Sequence, residues 1–147
     1  MKNIKILGAG ISGLTAAINL ARAGLEVDVY EKNEDCGMRF HGDMQGLENW
    51  SSKENILKSL RRMNIKTSFD HAPFRKVTFT NCQDTKKLHF WQPLFYLVKR
   101  GNIKGSLDQS LKAQALEGGG YGSILGHFFD QKKQILLPLA RKIPSLQ

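Results

Sequence analysis

Gly8-Ala9-Gly10-Ile11-Ser12-Gly13 spells G-x-G-x-x-G, and seventeen residues separate its last glycine from Glu31. Glycines at these offsets suit a backbone that must turn tightly, approach a bulky anion and bring a helix close to a strand. Gly8 permits the turn, Gly10 removes the Cβ from the anion's path, and Gly13 lets the helix approach. The N–H groups of Ile11, Ser12 and Gly13 would then be donors in a helical first turn, where the dipole favours negative charge. A carboxylate at Glu31 suits hydrogen bonds from ribose hydroxyls and repels a 2′-phosphate. The set predicts a dinucleotide diphosphate as ligand, with NADP disfavoured.

The motif is informative only if a strand precedes it and a helix follows. Ile4-Lys5-Ile6-Leu7 predicts a short buried strand. Leu14, Ala17, Ile18 and Ala21 recur at helical spacing over residues 11–23, and Gly24 stands where a helix end takes positive φ. Val27, Val29 and Tyr30 predict a second strand ending at Glu31. This is a βαβ unit with a right-handed crossover.

From Glu31 to Trp50 the pattern is irregular. Ser51 and Glu54, three apart, form a capping box for a helix that turns Ile56, Leu57, Leu60 and Met63 inward. Stretches around 77–80, 87–91 and 95–98 predict an antiparallel β-meander over about 74–100. Phe90, Trp91, Phe95 and Tyr96 read as core at strand spacing. A helix over Leu107–Glu117 carries Leu107, Leu111 and Ala115 on one stripe, capped by Ser106 or Asp108. Beyond Gly118-Gly119-Gly120-Tyr121-Gly122 no periodicity emerges. The fold class is α/β, a Rossmann-like FAD/NAD(P)-binding domain with an inserted antiparallel meander.

The length, 147 residues, fits one domain, and the net charge of +9 is concentrated in residues 51–100, whose balance is +8. With no zinc-finger spacing and no RNP-type aromatics, that charge reads as a solvated basic surface and excludes a nucleic-acid role. Cys36 and Cys82 form no redox or metal pair, and the four histidines lack ligand spacing, so no metal site is expected. No Ser-His-Asp or Cys-His arrangement is visible, and no catalytic residue is assigned. Glycines and Lys5 interrupt the early apolar stretch, and no run reaches the length of a membrane span, so the expectation is a cytoplasmic protein without a transmembrane segment.

Val29-Tyr30-Glu31-Lys32, after a glycine motif this near the start, resembles the opening of FAD-dependent oxidoreductases. Arg39-Phe40-His41-Gly42-Asp43-Met44-Gln45-Gly46-Leu47-Glu48-Asn49-Trp50 resembles a segment of the geranylgeranyl-reductase-like branch of flavoproteins, related to the p-hydroxybenzoate hydroxylase fold. Tyr96-Leu97-Val98-Lys99-Arg100 with Ser106-Leu107-Asp108-Gln109-Ser110-Leu111 also resembles that branch, where an Arg precedes D-x-x-L on the next helix. The resemblance runs from residue 1 to about 117. It implies FAD as cofactor, NAD being the alternative that the fingerprint leaves open. It implies that Lys32, Arg39, Gly42 and Arg100 join Gly8, Gly10, Ile11, Ser12, Gly13 and Glu31 in holding the cofactor. Arg39 and Gly42 would lie along it, and Arg100 would reach its phosphates or flavin side, where a guanidinium fork bonds phosphate bidentately.

The implied activity is that of an oxidoreductase on a small-molecule substrate, an isoprenoid if the branch holds. Members of the branch are more than twice as long and carry a second cofactor motif and a covering sheet. The expectation is a nucleotide-binding domain over 1–117 and a non-matching tail over 118–147 in a truncated or frameshifted chain. Such a chain would need a partner chain or a missing C-terminal half for catalysis. The alternatives are a non-catalytic dinucleotide-binding remnant or subunit, and the NAD-binding domain of a dehydrogenase.

Overall fold

Strand β1 (Asn3–Leu7), helix α1 (Ile11–Arg22) and strand β2 (Glu26–Glu31) open the chain. Then come β3 (His41–Glu48), α2 (Ile56–Arg62), β4 (His71–Phe74), β5 (Lys76–Thr80) and β6 (Thr85–His89). β7 (Phe95–Gly101), α3 (Leu107–Glu117), β8 (Ile124–Phe129) and β9 (Leu136–Pro138) complete the order. The structure is a computed structural model that describes residues 3–117, 124–129 and 136–138.

β1 and β2 pair in parallel, Ile4 beside Val27 and Leu7 beside Tyr30, so α1 is the crossover. Leu14, Ala17, Ile18 and Ala21 form its buried stripe, as their spacing predicts. The helix stops at Gly24, whose φ is +81°. There the Leu25 N–H donates to Leu20 O at 3.2 Å and the Gly24 N–H to Ala21 O at 3.0 Å, closing two of the last carbonyls.

β8 pairs in parallel with the other edge of β2, and β9 pairs antiparallel with β8, giving the order β1-β2-β8-β9. Patterning predicts no strand after Glu117. The backbone of Ile124–Phe129 nevertheless returns to the sheet: α3 packs against α1 and delivers the chain to the open edge of β2. The glycine cluster of residues 118–122 lies outside the described residues.

A second sheet, antiparallel, has the order β3-β7-β4, and β5 and β6 form a separate hairpin. The antiparallel region is present, but β7 pairs with β3 and β4 instead of continuing a meander from β6. β3 occupies part of the stretch that reads as irregular; two glycines, a register shift between His41 and Met44 and mostly exposed side chains mask it. Of the four aromatics read as core, Tyr96 is buried and Phe90 and Phe95 are half-buried, while Trp91 is 95% exposed in the turn before β7. The cap of α2 is Asn55, whose Oδ1 accepts from the Leu57 N–H at 3.0 Å, and not Ser51. Glu54 instead accepts from Ser59 Oγ at 2.6 Å, and Met63 is exposed.

One core joins the layers: Leu14, Ala17 and Ile18 of α1, Val27 and Val29 of β2, Tyr96 and Val98 of β7, and Leu107, Leu111 and Ala115 of α3. Beside this core, Gly13 leaves the least room for a Cβ of the described glycines. A Cβ there would overlap the carbonyl oxygen of Gly8 and stand 3.3 Å from Ile6 Cγ2, whereas a Cβ on Gly10 would meet nothing within 4 Å. Gly13→Ala is therefore expected to cost about 3 kcal/mol through overpacking. Gly10→Ala should stay within about 0.5 kcal/mol of the parent. Urea unfolding followed by circular dichroism checks the pair.

Candidate dinucleotide-binding site

Parallel pairing of β1 with β2 places their carboxyl ends side by side, and the glycine turn and Glu31 lie at those ends. The Gly8 N–H donates to Tyr30 O at 2.6 Å, extending the pairing into the turn. Gly8 itself has φ +98°, a conformation that side-chain-bearing residues rarely adopt. Gly10 is the N-cap of α1; it brings no side-chain cap, and no acidic residue occupies the first turn. The Leu14 N–H is the first to find a helical acceptor, Gly10 O at 2.9 Å. Among the described residues the N–H groups of Ile11, Ser12 and Gly13 have no acceptor, and a Cβ on the neighbouring Gly10 would meet nothing within 4 Å.

Glu31 is buried, and its carboxylate bends back onto the turn, where Oε2 accepts from the Ala9 N–H at 2.8 Å. Oε1 accepts from the Asn33 N–H at 3.1 Å and from Asn33 Nδ2 at 2.8 Å. Uncapped amides thus sit beside an anchored carboxylate, a pairing that can take a diphosphate on one side and hydroxyl groups on the other. Lys32 is exposed next to it.

The loop after Glu31 is laid across β7 and α3. Lys112 Nζ donates to Asp35 Oδ1 at 2.6 Å, and the Cys36 thiol donates to Asp108 O at 3.5 Å. Gly37, at φ +77°, fits so closely that a Cβ would stand 2.8 Å from Gly101 C. Burial, then the charge of Asp35, pushes the Cys36 thiol up to about 12, which keeps it neutral and unreactive.

Arg39, Gly42 and Arg100 gather in a second group around Phe40. Arg39 is exposed, its guanidinium 5.8 Å from the Phe40 ring centre, and Gly42 has φ +92°. Arg100 is buried: Nε donates to Asp108 Oδ2 at 2.8 Å, Nη2 to Asp108 Oδ1 at 3.0 Å and Nη1 to Gln45 Oε1. Its Cζ lies 4.1 Å from the Phe40 ring centre. Gly8, Gly10, Ile11, Ser12, Gly13 and Glu31 come together; no hydrogen bond joins Arg39, Gly42 or Arg100 to them among the described residues. Spacing alone singles out neither Ala9 nor Asn33, although Asn33 stands only two residues past Glu31. It also leaves Asp108 as a cap candidate, a task that Ser106 performs by accepting from the Gln109 N–H at 3.1 Å.

Burial works to raise the Asp108 carboxyl, but the Arg100 hydrogen bonds, the Gly101 N–H and the Arg100 charge outweigh it and hold it below the usual carboxylate range. Asp35 is lowered in the same way, burial being outweighed chiefly by Lys112. A carboxyl whose pKa is lower in the folded state adds stability above its unfolded value, about 3.9, and loses it as pH falls through the folded one. The urea midpoint should therefore drop steadily below about pH 4. Asp108→Asn should flatten that limb and cost about 3 kcal/mol at pH 7, since Arg100 would stay buried without its counter-charge. Urea titrations across pH measure both.

Comparison with known proteins matches residues 6–48 to the NAD(P)-binding Rossmann-like domain. A hydroxysqualene dehydroxylase from Sinorhizobium fredii is 58% identical over 38 residues, 26% of this chain and 9% of that protein. Among solved structures, a tetrameric 2-methyl-3-hydroxypyridine-5-carboxylic acid oxygenase superposes with TM-score 0.58 and 22% identity over 84% of this chain and 31% of its own. A flavoprotein/dehydrogenase from Cytophaga hutchinsonii superposes with TM-score 0.53 and 16% identity, over 84% and 30%. The chain thus spans less than a tenth of that curated relative and under a third of these structures. The chain carries a Rossmann-like dinucleotide-binding domain with an antiparallel sheet beside it.

Proposed function

We propose that this chain binds the ADP half of FAD at its opening βαβ unit, as the nucleotide-binding domain of an oxidoreductase of isoprenoid-type substrates. The observation that carries this reading is the conjunction at one point of an open Gly10, uncapped amides at Ile11, Ser12 and Gly13, and the Glu31 carboxylate anchored on Ala9. Gly10 would leave room for the pyrophosphate, the Ile11, Ser12 and Gly13 amides would donate to it, and Glu31 would accept from the adenosine ribose. Lys32 adds positive charge at the rim. Arg39, exposed and without a carboxylate partner among the described residues, is the arginine available to a phosphate. Arg100, bonded to Asp108 and Gln45, acts by fixing β7 against α3.

FAD when bound supplies reversible hydride and electron transfer; the residues of this chain bind and orient its ADP end. The likeness to a hydroxysqualene dehydroxylase and the Arg39–Trp50 segment support the isoprenoid substrate and the geranylgeranyl-reductase-like branch. The proposal includes further flavoprotein elements, in a partner chain or a second half, that enclose the reacting ring, and a cytoplasmic setting. A second reading, NAD as ligand, is favoured by the NAD(P)-binding character of residues 6–48.

Thermal unfolding with FAD, ADP and NAD distinguishes the readings. FAD at about 100 times its Kd should stabilise the chain by about 2.7 kcal/mol, and the purified protein should show flavin absorbance. Stabilisation by NAD alone, without flavin colour, would favour the second reading. Gly10→Val, whose side chain enters the diphosphate's path, should weaken FAD and ADP binding at least tenfold while the fold persists. Undiminished binding by that variant would refute the placement of the diphosphate.

A further inference from the structure

We infer that Asn33 sets how Glu31 grips the ribose, closing one carboxylate oxygen so that a single acceptor position, on Oε2, remains for one hydroxyl of the diol. The inference rests on the reading of Glu31 as the ribose-facing carboxylate. An ionised carboxylate offers about four lone-pair positions, two on each oxygen. Asn33 takes both positions on Oε1, with its backbone N–H at 3.1 Å and its Nδ2 at 2.8 Å. The Ala9 N–H takes one position on Oε2 at 2.8 Å. Among the described residues, that leaves one position.

Glu31 is 8% exposed, and three hydrogen bonds hold its carboxylate in place. Bonds to a charged acceptor are the stronger kind, and here they hold both oxygens, which fixes the plane of the group. Asn33 is itself presented from a held backbone, because two residues on Asp35 is tied to Lys112 at 2.6 Å. A cis diol meeting a carboxylate with both oxygens open would give one hydroxyl to each. At this site the second hydroxyl must find a different acceptor.

Calorimetric titration of the full chain with ADP, 2′-deoxy-ADP and 3′-deoxy-ADP tests the role. For the parent, one deoxy analogue should bind about tenfold more weakly than ADP, the value of a lost bond to a charged group. The other should stay within about twofold of ADP, since its missing hydroxyl had no place on Glu31. Asn33→Ala reopens a position on Oε1 and should make the two losses alike. Asn33→Leu, which keeps the shape and the backbone N–H but lacks the side-chain donor, serves the same purpose if the alanine variant does not fold, as judged by circular dichroism. A purely structural Asn33 would shift all three ligands equally and leave their ratios unchanged. Equal losses for the two analogues in the parent, zero included, or a one-sided loss that persists without Asn33, would overturn the inference and leave the nucleotide site standing. A parent chain that binds no ADP would instead defeat the site and the inference together.

Discussion

Helix α1 begins in contact with the strand that leads into it, and the arrangement of the groups proposed to face the ligand follows from that contact. Gly13 lies so near the Gly8 carbonyl that no side chain fits between them. At this distance the stripe of Leu14, Ala17 and Ile18 reaches the sheet and joins Val27 and Val29 in the core. The same approach brings the positive end of the helix over the carboxyl ends of β1 and β2, where Glu31 terminates the second strand. A wider spacing would loosen the core and move the amides away from the carboxylate in one step. Packing and the proposed binding thus share one geometric requirement.

A second constraint is electrostatic. Arg100 and Asp108 are both buried and meet through two hydrogen bonds, with the Gly101 N–H adding a third donor to the carboxylate. A buried ion pair repays its desolvation only when its remaining valences are filled, and here Gln45 and the Phe40 ring complete the surroundings of Arg100. The pair bridges the end of β7 and the start of α3, the point where the antiparallel sheet meets the helix that packs on α1. It gives the two layers a defined relation that apolar contacts, being non-directional, would leave looser.

The βαβ unit is legible in the sequence because its signals are local: glycines at fixed offsets, a helical stripe, a glycine stop at Gly24. α3 is legible for the same reason, and its stripe of Leu107, Leu111 and Ala115 is buried as spaced. β3 is not legible: His41–Glu48 faces water along most of its length, contains two glycines, and finds its partner about fifty residues later in β7. β4 carries Pro73, which an edge strand tolerates but which argues against a strand in the sequence alone. In the candidate site, Gly8, Gly10, Gly13 and Glu31 announce themselves by spacing, whereas Asn33 belongs to no motif although it bonds Glu31 only two residues away. Arg100 and Asp108 are picked out together by their pattern, but that they bond one another inside the protein is seen only in the fold.

The loop between Glu31 and β3 is fastened at three successive points: Asp35 to Lys112, Cys36 to the backbone of Asp108, and Gly37 against Gly101. A segment fastened in this way has surrendered its conformational freedom during folding, before any small molecule arrives. Under the proposed function, recognition at the adenosine end would be docking to a finished surface, with little ordering left to oppose association. The entropic toll that a floppy loop would levy on every encounter is charged here only once, when the chain folds.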